Sequence, residues 1–461
     1  MLETRCCPGR RTNRPFRRAL AVLTILAAAC VPDVGSNPVP TAMQFDLTTM
    51  PPRAPQPTAL IVNPQTKRID FSLAGTPIPD DCASQQVLTQ AQCQFDQYLQ
   101  TLDGFPNVTT AAAPATAALD PATLTLGLNQ NVVAVGVQKA SGLVMDGAVG
   151  FDAASTSLTL LPAQGWVLGE FYWVGVRGYA GGVRDANGGE VVGSPTMSLL
   201  KQDDPLTCGA TDPSAVDPHC PAFQVVAAQA PSTEVAAERL FQLEAIRQAY
   251  IDGHAFDAML AAGLPKAEIA VLWGFPIHTN SVAVLSPTAG VVPRVPAADQ
   301  IGVGVLGPVD PATVSAFSAA APTQGGSVVV IDLAAVLAGD LAAAFPPVAA
   351  AYTSSAIVIQ ASAPFPAGHP IGLFFKNTIH APDGAPLVAS PVSVLLTLTA
   401  TLVGSDGHST VSGVSDADAA ALESGRVALA PLLDNPNIAA LTGITRANLV
   451  YCYAFVPMVQ P

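Results

Sequence analysis

The sequence predicts a mainly β fold: two tandem antiparallel β-sandwich modules, each with a helical insertion before its last strand. Three observations carry that reading. Short runs rich in Val and Thr alternate with turn signals along the chain. A set of sequence matches recurs in the same order in both halves. Half of the 461 residues are hydrophobic and only 12% are charged, enough apolar material to build a core and rule out a disordered chain. The 42 prolines and 37 glycines follow no Gly-X-Y period, which excludes collagen. A formal net charge of −14 excludes a nucleic-acid role.

The N-terminus comes first in the order of the chain. Residues 1–29 carry six arginines (Arg5, Arg10, Arg11, Arg14, Arg17, Arg18) followed by an apolar run from Ala19 to Ala29. That run is too short to span a bilayer and suits a secretory signal peptide. Leu26-Ala27-Ala28-Ala29-Cys30 resembles a bacterial lipobox, in which the Cys30 thiol is acylated; ordinary cleavage after the small residues is the alternative. Loss of 1–29 removes six arginines and Glu3 and leaves a mature charge of −19, so anionic lipid heads repel this surface. Contact with a membrane is therefore expected only through an N-terminal lipid. Residues 30–58, rich in Pro and Thr, read as an extended tether.

Of the cysteines after Cys30, four form two local pairs, Cys82/Cys93 and Cys208/Cys220. In an exported chain such pairs read as disulfides. Neither has the C-x2–4-C spacing of a zinc site. Cys452, in the run LVYCYAF, reads as a small buried hydrophobe.

The repeat sets the organisation: module 1 over 59–280 and module 2 over 281–461. Leu119–Thr125 (LDPATLT) returns as Val309–Ser315 (VDPATVS), and Val192–Leu200 as Val388–Leu396. Leu243–Arg247 returns as Leu422–Arg426, and Ala262–Phe275 as Thr442–Phe455. A lead-in, Pro52–Pro55, is answered by Pro293–Pro296. Strands are expected at 132–137, 157–161, 171–177 and 191–200, with counterparts at 328–333, 356–360, 371–376 and 387–396. A helix capped by Ser232 or Thr233 places Ala236, Leu240, Leu243, Arg247 and Tyr250 on one face and ends at Gly253. Another is expected over 87–102. The last strands are 268–277 and 448–458.

At these residues a family resemblance enters. Tyr98–Pro106 (YLQTLDGFP), the LDPATLTL stretch, FYWVGVRG and DANGGEVVGSPTMSLL resemble the Ig-like N-terminal region of bacterial virulence-factor (extracellular) lipases. The later strands are similar to S-layer-type bacterial Ig-like domains. The resemblance implies Ig-like β-sandwich modules on an envelope protein. It departs from the lipases in leaving no room for their α/β-hydrolase domain.

Motifs that could carry chemistry are few. Gly407-His408-Ser409-Thr410-Val411 approaches a nucleophile elbow but has Val where the second Gly is needed. His219, His254, His278, His369, His380 and His408 show no zinc spacing. Asp185-x-Asn187-Gly188 looks faintly like the start of a calcium loop but reads more simply as a tight turn. Glu244/Arg247 and Glu423/Arg426 are placed for salt bridges within their helices. Trp273 and Phe275, answered by Tyr453 and Phe455, read as sandwich core rather than a carbohydrate platform. The expectation is thus a non-enzymatic, exported lipoprotein of the outer membrane or cell surface, alternatively secreted or periplasmic. No catalytic residue, metal or cofactor is expected. Its role would be adhesion, scaffolding or binding, with an envelope protein or a glycan as partner and no nucleic acid. The alternative is an accessory or remnant of a secreted lipase or esterase.

Overall fold

The computed structural model describes residues 39–47, 53–84, 88–139, 142–279, 294–296, 300–322 and 325–458. The signal segment 1–29 and Cys30 lie outside the described residues. The fold is β-rich, mixed with helices, and arranged as several small sheets.

The first half contains β1 (Thr41–Met43), α1 (Gln90–Leu99), β2 (Ala111–Pro114), β3 (Val132–Gly136) and β4 (Leu143–Val144). It continues with β5 (Gly147–Asp152), β6 (Ser157–Pro162), β7 (Phe171–Arg177) and β8 (Val191–Gly193). Helices α2 (Pro195–Leu200), α3 (Pro221–Ala227), α4 (Thr233–Asp252) and α5 (Ala255–Ala261) lead to β9 (Ile269–Pro276). The second half contains β10 (Arg294–Pro296), β11 (Gln300–Gly304), β12 (Val328–Asp332), α6 (Leu333–Leu337) and β13 (Val348–Thr353). It closes with β14 (Ala356–Ala361), β15 (Ile371–Lys376), α7 (Pro391–Thr397), α8 (Asp416–Leu433), α9 (Pro436–Thr442) and β16 (Leu449–Met458).

Each half contains a three-stranded sheet and a four-stranded one, and β1 and β8 form a further two-stranded sheet. The orders are β2-β6-β5 with β4-β3-β7-β9, and β11-β14-β13 with β10-β16-β15-β12. In both four-stranded sheets the penultimate strand pairs antiparallel with the last, and the register slips at one place: Val176/Arg177 in one, Phe375/Lys376 in the other. The cores follow the register. Tyr172, Val174, Trp273 and Phe275 share one face of the first sheet, and Trp166 packs edge-on against Phe275 with centroids 5.0 Å apart. The opposite face is also covered, because Trp173 packs edge-to-face against Tyr250 of α4, with centroids 5.1 Å apart. Covering both faces explains why these strands are unbroken apolar runs instead of alternating ones. Each such aromatic contributes about 1.5–3 kcal/mol by burial.

The repeated motifs repeat their hydrogen bonds. Asp120 Oδ1 accepts from Ala122 N, as Asp310 Oδ1 does from Ala312 N, both at 3.0 Å. The Thr123 and Thr313 hydroxyls accept from the N–H of Arg184 at 3.1 Å and of His380 at 3.0 Å. Glu244 is held by Arg247 and receives Leu206 N at 2.8 Å; Glu423 is held by Arg426 and receives Leu402 N at 2.9 Å. The two arginines reach equivalent loop carbonyls, Asp203 at 3.2 Å and Thr399 at 3.3 Å. Each pair therefore pins a loop to its helix.

Several expectations are corrected. The stretches 191–200 and 387–396 are not continuous strands. Ser194 and Ser390 accept the N3 amide and cap helices whose first residue is Pro195 or Pro391, so α2 and α7 begin there. The tether read over 30–58 is structured in its described part: β1 pairs parallel with β8, and Met43 and Phe45 are buried. The two lead-ins are not equivalent, since Arg53 bridges Asp46 while Arg294 pairs with Val456 of β16. Helix α4 arises as expected, with Ser232 accepting from Val235 N and Gly253 at its C-terminus, but α3, α5, α6 and α9 add a helical layer beyond a single insertion.

Candidate functional site: a cleft between the two halves

Helix α1 belongs to the first half in sequence, yet it seats in the second. Thr89 caps it, and Ala91, Phe95 and Tyr98 fall on one face at i, i+4 and i+7. That face enters the core formed by Leu373, Phe375 and Tyr451 of the second half. Polar side chains fix the seat. The Tyr98 hydroxyl donates to Ala389 O at 2.5 Å, and Gln94 Oε1 accepts from Thr399 N at 3.1 Å. Gln92 Oε1 accepts from Ser412 N at 2.6 Å, and the Thr89 hydroxyl donates to Thr410 O at 2.5 Å. A Cys82–Cys93 disulfide ties α1 to the segment before it.

Beside this helix lies a cleft of about 1870 Å³ lined by both halves. Ile61, Phe71 and Leu99 contribute apolar wall from the first half; Leu396, Leu422 and Leu429 contribute it from the second. The volume exceeds the roughly 300–1,000 Å³ of an ordinary small-molecule site. The charged residues among its described lining are Asp96, Asp152 and Asp418, all acidic.

Asp96 is the unusual one. It is 7% exposed, and the one hydrogen bond to its carboxylate among the described residues comes from Gln92 Nε2 at 2.7 Å. No described cation lies within ion-pair distance. Burial outweighs the Gln92 hydrogen bond and pushes the carboxyl up to about 6. By contrast, Asp418 accepts the Ser415 hydroxyl at 2.7 Å, and Asp152 accepts Ser155 Oγ at 2.6 Å. Those two serve local turns and caps. Tyr453, whose hydroxyl has no hydrogen-bond partner among the described residues, and the buried Cys452 also line the cleft. Burial pushes the Cys452 thiol up to about 12, so it stays protonated and unreactive.

The residues singled out in the sequence fall elsewhere. Cys208 is bonded to Cys220 at the start of α3, closing the loop that follows α2. Ser409 lies in a turn where its hydroxyl donates to Val411 O at 3.0 Å. His408 Nδ1 pairs with Asp416 Oδ2 at 2.9 Å, which holds the imidazole above its usual range, and Asp416 Oδ1 accepts Ser409 N at 2.7 Å. These contacts clip the loop to the first turn of α8; the serine hydroxyl is directed to the backbone and not to the imidazole. Asp185 fills its carboxylate with Asn187 N at 2.9 Å, Gly189 N at 2.8 Å and the Thr41 hydroxyl at 3.0 Å. This is an Asx turn that also anchors β1. Among the described residues no group of three or more His, Cys, Asp or Glu could hold a metal. Trp273 and Phe275 are buried between the layers, at 1% and 0% exposure.

Sequence reasoning placed α1 but missed the cleft and Asp96. The signal was present as one acid inside an otherwise uncharged helix, QAQCQFDQYL. Its surroundings come from the other half and could not be read locally.

No family model matches this chain, and no curated protein does. Among solved structures the similarity is to the bacterial S-layer protein SbsC. Its N-terminal part shows 19% identity over 18% of this chain and 19% of that one, with a TM-score of 0.15. Its domains 1–6 show 18% identity over 19% of this chain and 11% of that one, also at 0.15. This chain thus spans less than a fifth of the length of those structures. At such scores the likeness carries no argument about fold or function.

Proposed function

We propose that this chain is an exported, non-enzymatic cell-envelope protein with a binding or scaffolding role. Its two halves, 59–280 and 281–461, are read as tandem Ig-like modules, and Cys30 as the site of a lipid anchor. The seating of α1 in the opposite half carries this reading, because it joins the halves and holds a shared apolar cleft. The arginine-rich start and apolar run of residues 1–29 support export. Partners expected of such a protein are an envelope protein or a glycan.

The esterase-remnant alternative needs a serine aligned with a base, and Ser409 donates to Val411 O instead. Fractionation tests the anchoring. The full-length chain should sediment with membranes and incorporate labelled palmitate, and Cys30→Ser should release it to the soluble fraction. A wild-type chain that is soluble and unlabelled overturns the lipoprotein reading. A cytoplasmic location overturns export altogether.

A further inference from the structure

A carboxylate removed from water is normally paired with a cation or hydrogen-bonded on both oxygens. Asp96 is neither: it is 7% exposed, has one neutral donor in Gln92, and no described Lys, Arg or His reaches it. It lines a cleft whose walls are Leu, Phe and Val and whose charged lining, among the described residues, is wholly acidic. Its polar neighbours on α1, Gln92, Gln94 and Tyr98, are all bonded across to the second half. Asp96 is the polar side chain of α1 that lines the cleft, and among the described residues Gln92 alone donates to its carboxylate.

We propose that the cleft binds an apolar molecule carrying an ammonium group, a long-chain amine, with Asp96 receiving the ammonium. This rests on the binding role proposed above and names its ligand class. The apolar walls take the chain by burial, at roughly 25 cal/mol per Å². The ammonium supplies the charge-assisted hydrogen bond that Asp96 lacks. Tyr453, on the strand beside the cleft, adds to its lining a hydroxyl without a hydrogen-bond partner among the described residues. An anionic amphiphile of the same length is disfavoured by three carboxylates.

Titration calorimetry of the purified protein with dodecylamine, dodecanol and dodecanoate at neutral pH, the two ionic ligands below their micelle concentrations and the alcohol below its solubility limit, tests this. Dodecylamine should bind about tenfold more tightly than dodecanol, and dodecanoate most weakly. Asp96→Asn should lower dodecylamine affinity about tenfold and leave dodecanol within about twofold. Asp257→Asn, at an exposed acid outside the cleft, should change neither, which separates the site from attraction to an acidic surface. Ala428→Trp, on the exposed face of α8 bordering the cleft, should weaken all three ligands. Equal affinity for amine and alcohol overturns the proposal, as does amine binding indifferent to Asp96→Asn. The wild-type comparison decides alone should Asp96→Asn fail to fold. Failure here leaves membrane fractionation untouched, so the two readings fall separately.

Discussion

The Tyr98 hydroxyl donates to the carbonyl oxygen of Ala389 at 2.5 Å, a hydrogen bond that joins positions 291 residues apart. It marks where a helix of the first half becomes part of the second. Around it, Gln94 and Gln92 repeat the same device with Thr399 and Ser412.

Removing that hydroxyl should loosen the joint without emptying the core. Tyr98→Phe keeps the ring against Phe95 and deletes one hydrogen bond, leaving the Ala389 carbonyl without its donor. The expected loss is about 1 kcal/mol, seen as a lower urea midpoint. An unchanged midpoint would show that α1 is held by its apolar face alone.

The helix-to-loop clips should matter equally in both halves. In Arg426→Met the neighbouring Glu423 keeps Leu402 N but loses its cation, and the carbonyls of Leu398 and Thr399 lose a donor. The pairs are largely buried on the arginine side, 3% and 9% exposed, so each loss should cost about 2 kcal/mol. Arg247→Met should match it. A clear asymmetry, measured by urea unfolding, would contradict equivalent roles.

Asp96 gives a pH signature. Its folded carboxyl titrates near 6, above the usual 3.8, so the folded protein binds this proton more tightly than the unfolded chain. The contribution to stability is therefore full below about pH 4 and is lost as pH rises through about 6. The total is about 2–3 kcal/mol. Asp96→Asn should remove this fall, making the variant more stable than wild type at pH 7.5 and not at pH 4. Parallel stability curves for the two proteins would refute the assignment.

Cys452 should be silent in the native protein. Its thiol is buried and pushed up to about 12. A disulfide-exchange reagent should label it only after unfolding, at least about a hundredfold faster in denaturant. Prompt native labelling would contradict the burial of the sulfur behind the cleft wall that Cys452 helps to form.

Ser409→Ala should leave hydrolysis of short-chain esters at the level of wild type, because the hydroxyl serves a turn. Serine-dependent turnover would revive the esterase alternative.

Much of the strand layout was legible because both faces of the central strands are buried, which makes runs such as Val132–Gly136 and Ile371–Lys376 continuous and apolar. The duplication was legible for a different reason. The Asp–Ala turn of DPAT and the Glu–Arg ion pairs close within two or three residues, so short sequence spans carry them into both halves. Where the reading failed, local pattern competed with capping. Val192–Leu200 looks like a strand by composition, but Ser194 and Pro195 start a helix. Strands β5 and β13 escaped notice because GAVGFD and VAAAYT carry few branched residues. Asp96 and the cleft depend on contacts between halves hundreds of residues apart, which no local window contains.

A crystal structure of the mature protein tests the central claim most directly. The account predicts that Asp120 and Asp310, Arg247 and Arg426, and the slipped registers at Arg177 and Lys376 superpose between halves, with Tyr98 on Ala389 beside an open cleft. Halves that fail to superpose, or α1 folded back on its own half with the cleft gone, would contradict it.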